Sequence, residues 1–203
     1  GLYAATNTPD TGLADLGYHR FLPFSIEAPD LYVSANAGND ANPGTTPLQP
    51  FKTISRALAV AEPGARIHVA AGVYNRANGE TFPVKIGSAP LELCGEGAET
   101  TILDATGAGT RVAEFESSGR STRIQDLTFM GGSNVTAGGG LYLRGTSARF
   151  ERVVIRNNLL NVSEQHGGGL YLVSGLPVFT ECHFISNRHT RSTTYGGGAE
   201  LYG

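Results

Sequence analysis

Gly138-Gly139-Gly140-Leu141-Tyr142-Leu143 recurs as Gly167-Gly168-Gly169-Leu170-Tyr171-Leu172, and again in degenerate form as Gly196-Gly197-Gly198-Ala199-Glu200-Leu201. Both intervals are 29 residues. A second element keeps the same step: Phe150-Glu151-Arg152-Val153-Val154-Ile155 ends at Asn158, and Phe179-Thr180-Glu181-Cys182-His183-Phe184 ends at Asn187. An earlier relative, Ile124-Gln125-Asp126-Leu127-Thr128-Phe129, lies 26 residues before its next copy. Two short strands per repeat, each apolar on one face, cannot bury that face alone. Stacking the copies at the ~4.8 Å strand spacing closes one continuous core. Like residues then fall on like: Leu141 on Leu170, Phe150 on Phe179, Val153 on Cys182 and Ile155 on Phe184. The Gly triplets suit tight bends with close backbone approach. Asn158 and Asn187 suit either a left-handed bend or a side-chain ladder. The predicted fold is an all-β, right-handed parallel β-helix.

Other repeat folds fit worse. Leucine-rich repeats need a denser Leu/Asn pattern, and propeller blades run ~40–50 residues. The calcium-binding nonapeptide needs Asp where Leu and Tyr follow these triplets. A β-sandwich leaves two motifs repeating in phase unexplained.

Composition agrees. The chain has 203 residues, 40% of them hydrophobic, only 16% charged, with 28 Gly. That is enough for one core in a turn-rich β protein. The net charge is −3 and no Lys/Arg run occurs, so the electrostatic signature of a nucleic-acid binder is missing. No apolar run approaches the ~18–20 residues of a membrane-spanning helix. The two cysteines, Cys94 and Cys182, form no metal-binding spacing and fall coils apart, so both are expected as small buried apolar residues.

The N-terminal half adds strands at Leu31-Tyr32-Val33, near Arg66 to Val69, at Leu91 to Cys94, at Thr101 to Leu103 and at Val112 to Phe115. Between the first two, Ile54, Ala57, Leu58 and Ala61 have helical spacing, with Thr53 as N-cap and Pro63-Gly64 as stop. The expected organisation is an N-terminal extension over residues 1–30 and a β-helix over 31–203, with its cap at 31–65 and its coils at 66–203.

A resemblance follows from the ordered set Leu31-Tyr32-Val33-Ser34, Gly38-Asn39-Asp40, Pro43-Gly44-Thr45, Pro50-Phe51-Lys52-Thr53-Ile54, Pro63-Gly64, Ala71-Gly72-Val73-Tyr74 and Gly79-Glu80-Thr81-Phe82-Pro83. Over about residues 31–105 the chain resembles the pectate-lyase-like β-helix superfamily, and within it the DUF1565-type N-terminal region of exported bacterial proteins. The later Gly-rich repeats loosely resemble polymorphic outer-membrane and autotransporter passenger proteins. The resemblance implies a β-helix capped by the short helix, and a secreted or cell-surface location. It implies no single activity.

Residues 9–19 look like a segment that, in related proteins, closes the C-terminal end of a β-helix region. Here they stand before the helix, while the last repeat stops at Gly203 without a cap. The N-terminal segment of one copy is therefore expected to cap the far end of another, head to tail. The same contact within a longer tandem chain is the alternative. The expected function is a non-catalytic extracellular structural or adhesive β-helix.

The alternative function is a polysaccharide lyase-like enzyme or a glycan-binding module on the same fold. The superfamily's lyases use a Lys or Arg base beside Ca²⁺ held by acidic residues, which needs carboxylates converging from adjacent coils. The available acids are Asp104, Glu114, Glu116, Asp126, Glu151 and Glu181, with Arg123 and Arg152 as bases. Asp126, Glu151, Arg152 and Glu181 are the catalytic candidates. Asp126 maps near Arg152 and Glu181, which reads as an outer row of exposed ion pairs. Glu151 maps onto Thr180, and both lysines, Lys52 and Lys85, are expected away from these acids. Tyr142, Tyr171 and Tyr202 are expected as an outward stripe, a sugar-stacking platform or lateral contact. Asp40 with Asn39 and Asn42 reads as a turn before Pro43-Gly44 and not as a calcium loop. No cofactor is expected, Ca²⁺ being the one ion such acids would hold. Self-association and polysaccharide are the expected partners, without nucleic acid.

Overall fold

The computed structural model describes residues 28–133, 135–162, 165–190, 194–195 and 197–202. Most of the expected N-terminal extension lies outside them. Strand β1 (Leu31–Val33) precedes helix α1 (Ile54–Val60). The first coil holds β2 (Ala65–Val69), β3 (Gly72–Asn75) and β4 (Val84–Ile86). The second holds β5 (Leu91–Gly95), β6 (Thr101–Asp104) and β7 (Ala113–Glu116), and the third β8 (Arg123–Gln125), β9 (Thr128–Met130) and β10 (Leu141–Arg144). The fourth runs through β11 (Arg149–Glu151), β12 (Val154–Arg156), β13 (Leu159–Leu160), β14 (Gln165–His166) and β15 (Leu170–Leu172). The fifth runs through β16 (Val178–Thr180), β17 (His183–Ile185), β18 (Arg188–His189), β19 (Thr194–Tyr195) and β20 (Ala199–Leu201).

Most of these strands form three parallel sheets that wrap one core, while β13 with β18 and β14 with β19 pair as two short two-stranded sheets. The first sheet runs β1-β2-β5-β8-β11-β16, the second β3-β6-β9-β12-β17, and the third β4-β7-β10-β15-β20. The fold is the parallel β-helix that the repeats predict, right-handed as parallel crossovers are, with one short helix. The predicted stacking holds: Leu141 faces Leu170, Phe150 lies between Ile124 and Phe179, and Ile155 between Phe129 and Phe184. The inward pairs of the three sheets, Ile124 with Phe150, Phe129 with Ile155 and Phe115 with Leu143, are fully buried. The Phe150 and Phe179 rings stack at 4.7 Å.

The Gly triplets work by close approach. A Cβ on Gly140 would stand 2.5 Å from the Gly169 carbonyl oxygen and 2.7 Å from both Asn158 Nδ2 and Ile155 Cγ2. Asn158 and Asn187 form the ladder, while the left-handed bend falls one residue earlier, at Asn157 (φ 53°) and Ser186 (φ 53°).

The cap explains the N-terminal motifs. The Phe51 ring packs where a Gly44 side chain would stand, and Gly44 takes φ 72°. Asp40 Oδ1 accepts from the backbone N–H groups of Lys52 (2.8 Å) and Thr53 (2.9 Å), and Thr53 Oγ1 donates to Asp40 Oδ2 at 2.9 Å. Both Asp40 oxygens thus tie the loop to the helix start. Thr53 caps α1 as expected, its Oγ1 accepting from Arg56 N–H at 3.1 Å. The buried Glu80 completes the cap by accepting from Ile54 N–H at 2.7 Å and Ser55 N–H at 3.1 Å.

The cysteines differ from expectation. Cys94 is not in the core: it stands on the outer side of β5 between the inward Leu93 and the strand end, and its sulfur accepts from Gln125 Nε2 at 3.1 Å. Cys182 packs against the core half-buried and donates to the Phe150 carbonyl at 3.4 Å. Burial pushes both thiols up from their ordinary range. Period-2 alternation from Leu91 and Leu93 places Cys94 outside.

Candidate functional site

The outer face of the third sheet carries a row of aromatic and charged side chains. Strand register aligns Lys85, Glu114, Tyr142, Tyr171 and Glu200 in one row along the solenoid. The Tyr142 and Tyr171 rings lie 5.8 Å apart, tilted by 38°. Arg111, just before β7, sets its guanidinium 4.3 Å from the Tyr142 ring centre and 3.2 Å from Glu114 Oε1. Burial lowers the Arg111 pKa, partly opposed by Glu114. At the far end the His166 ring lies 5.6 Å from Tyr171, with Nδ1 3.1 Å from Glu200 Oε1. Burial, then the Glu200 charge, raises the Tyr171 hydroxyl pKa.

Two of the three expected tyrosines therefore share the row. Tyr202 does not: Glu200 faces Tyr171, and Tyr202 follows the end of β20, 66% exposed. Its 31-residue spacing exceeds the repeat by two. Lys85 also corrects its expected isolation, since the coil step brings it opposite Glu114. Arg111 and His166 belong to no repeated motif, so nothing in the sequence marks them. Glu200 was readable only as the residue that replaces Tyr in the third copy.

The four catalytic candidates come together at another place, the short turn between the first and second sheets. Asp126, Arg152 and Glu181 occupy the same left-handed position in successive coils, with φ of 59°, 51° and 53°. Arg152 grips Asp126 with two bonds, Nε to Oδ1 at 2.6 Å and Nη2 to Oδ2 at 2.7 Å. Those hydrogen bonds, then the Asp126 charge, raise the Arg152 pKa. Glu151 Oε2 stands 3.8 Å from Arg152 Nη1, and Glu151 faces Thr180. The row is the mixed-charge one expected. Asp104 sits at the end of β6, where its Oδ1 accepts from Thr106 N–H at 2.9 Å. Glu114 and Glu116 leave β7 on the third-sheet side, flanking a small cleft with Lys85. Among the described residues no group of three or more His, Cys, Asp or Glu is placed to hold a metal ion.

A larger cleft of about 440 Å³ lies on the first sheet beside the 34–50 loop. Tyr32 and His68 line it, stacked at 4.9 Å with their planes 13° apart. Among the described residues no helix is long and apolar enough to cross a membrane.

The three-sheet coil and its N-terminal cap define the class: a parallel β-helix. Within that class the chain belongs to the DUF1565 family, described as proteins of unknown function, whose family model matches residues 36–196. The match extends well past the N-terminal motifs into the Gly-rich coils. No curated protein matches the sequence. Among solved structures, pectin methylesterase PemA from Erwinia chrysanthemi is similar at 16% identity and a TM-score of 0.38, over 80% of this chain and 67% of that one.

Proposed function

We propose that the chain is a non-catalytic extracellular structural or adhesive β-helix whose copies join end to end. One observation carries this reading. Phe184 and Leu201 continue inward columns whose preceding members, Ile155 and Leu172, are 0% and 8% exposed, yet they are themselves 38% and 69% exposed. Val178 and Ile185 add to the same apolar end, and among the described residues β16, β17 and β20 each pair on one side. Open strand edges beside apolar surface favour a further strand. At the opposite end α1 buries Ile54 and Ala57 against the core, so the two ends differ. A donor segment from a second copy, residues 1–30, suits this asymmetry because residues 9–19 look like a closing segment.

Light scattering over a concentration series, with negative-stain microscopy, tests the reading. Growing oligomers or filaments are expected, and removing residues 1–30 or making Leu201→Lys should abolish them. A monomer at every concentration would overturn end-to-end joining.

The Tyr142–Tyr171 row supports a second reading, a glycan-binding module or lyase-like enzyme, since tyrosine faces stack on sugar rings. Unsaturated product absorbance from pectate or alginate, with and without Ca²⁺, separates the two. A catalytic rise would replace the structural reading.

A further inference from the structure

The corner between the third and first sheets gathers four arginines on two adjacent coils. In one coil the turn after β7 carries Arg120 and leads into Arg123; in the next, Arg144 ends β10 and Arg149 begins β11. Backbone bonds stack the two turns. Ser117 N–H donates to the Arg144 carbonyl at 2.8 Å, Ser147 N–H to the Ser118 carbonyl at 2.8 Å, and Arg149 N–H to the Thr122 carbonyl at 2.9 Å. Arg120, Arg144 and Arg149 are exposed, and among the described residues none of them meets an acidic partner or makes a side-chain hydrogen bond.

The local acids do not neutralise this corner. Glu92 is the carboxylate in the Arg123 row, but Arg66 holds it at 2.7 Å and leaves Arg123 at 3.9 Å. Glu116 faces Arg144 in register without forming an ion pair. The same corner in the fifth coil, Val173 to Val178, has no charge. Arg123 and Arg149 are direct register partners, like charges on neighbouring rungs, which disfavours the pairing. A chain of net charge −3 thus keeps at this corner three arginines without an acidic partner among the described residues, beside Arg123 with its long pair to Glu92.

We infer that this corner binds a sulfated polysaccharide. The inference names a partner for the adhesive part of the role proposed above and does not depend on end-to-end joining. Guanidinium forks pair with oxyanions in bidentate fashion. Four of them on two rungs ~4.8 Å apart need a ligand with several anionic groups within that span. A polyuronate offers one carboxylate per sugar ring, whereas a heavily sulfated glycan offers more. Bound sulfates between Arg123 and Arg149 would also relieve their mutual repulsion.

The test is titration calorimetry of the full chain with size-defined heparin fragments. Polygalacturonate and a short DNA duplex of matched length serve as comparators. Heparin should bind more tightly than polygalacturonate or DNA, and more weakly at high salt. Arg144→Glu with Arg149→Glu should weaken heparin binding at least about tenfold. Arg156→Glu, on the second sheet, should leave it within about twofold. The double variant should keep the parent's melting temperature, because the carboxylate introduced at position 149 would face Arg123 and offset the one introduced at position 144, which would face Glu116, and it should form the same assemblies under the microscope. Absence of heparin binding, equal loss in Arg156→Glu, or tighter binding of polygalacturonate or DNA would each overturn the inference. Heparin binding by a parent chain that forms no filaments would overturn end-to-end joining and leave this site standing.

Discussion

The Asn158 side-chain amide donates to Asn187 Oδ1 at 2.9 Å, one coil further along the solenoid. Asn158 is fully buried, and its own oxygen accepts from Gly132 N–H at 2.9 Å. Asn187 in turn donates to the Ile155 carbonyl at 2.8 Å. The two carboxamides tie three coils together where the chain leaves the second sheet. Asn158→Ala strands the buried Gly132 N–H, at about 1–3 kcal/mol for such a group, while Asn187 Oδ1 keeps the backbone N–H of residue 158 at 3.2 Å. Equilibrium urea unfolding should show a loss of about 2–3 kcal/mol. Asn187→Ala, at a half-buried site, should cost about 1 kcal/mol. Equal losses would count against the ladder as the cause.

Much of this arrangement is legible in the sequence because like residues stack. The 29-residue step alone predicts that Phe150 meets Phe179 and that Asn158 lies over Asn187. The charge pairing of Asp126 with Arg152 follows from the 26-residue step in the same way. What escapes is whatever depends on loops of unequal length or on side chains that do not repeat. Lys85 and Glu114 also lie one 29-residue step apart, but neither Val84-Lys85-Ile86 nor Ala113-Glu114-Phe115 carries a repeated motif to mark that register. The left-handed turn at Asp126, Arg152 and Glu181 is hidden because glycine, its usual marker, is absent there. The arginine corner is hidden because Arg120, Arg123, Arg144 and Arg149 form no run and meet only through stacking of two turns.

Glu80 lies 26 residues from the helix start it caps, so no local motif announces it. Its carboxylate accepts from Ile54, Ser55 and Thr81 N–H groups while only 4% exposed. Glu80→Ala leaves helix-start N–H groups without their acceptor and should cost about 2–3 kcal/mol. Glu80→Gln keeps one oxygen acceptor and should cost less. Thr53→Ala should lose about 1 kcal/mol, the usual worth of an N-cap. Thermal melts should show Glu80→Ala as the most damaging of the three, and a silent Glu80→Ala would refute the anchoring role.

Tyr74 provides a pH signature. Its hydroxyl is buried and donates to the Ala70 carbonyl at 2.8 Å, and burial raises its pKa above the ordinary value of 10.0. In the unfolded chain the phenol ionises near pH 10, but in the folded chain only at higher pH. Between those two values the unfolded state binds fewer protons, so stability falls as pH rises. The full contribution is present below about pH 10. Tyr74→Phe should lose about 1 kcal/mol at neutral pH with the hydrogen bond. The same variant should show a shallower alkaline decline in urea unfolding followed across that range. An unchanged slope would assign the decline to other groups.

The Gly triplets give the sharpest test of coil stacking, because two copies differ in what lies against them. At Gly140 an added methyl would meet the Gly169 carbonyl, Asn158 and Ile155, all within 2.7 Å. None of these can retreat without opening the ladder or the core, so Gly140→Ala should destabilise by about 1–3 kcal/mol. Gly198 occupies the same place in the last triplet, and among the described residues nothing lies within 4 Å of such a methyl. Gly198→Ala should therefore leave the melting temperature of the dilute chain unchanged. In concentrated solution, where a second copy is proposed to cover this end, the methyl would stand where the next rung approaches. A fall in filament length for Gly198→Ala, with no change in dilute stability, is the expected pair of results. A dilute loss equal to that of Gly140→Ala would show that the glycine is required by the turn itself and not by what stacks on it.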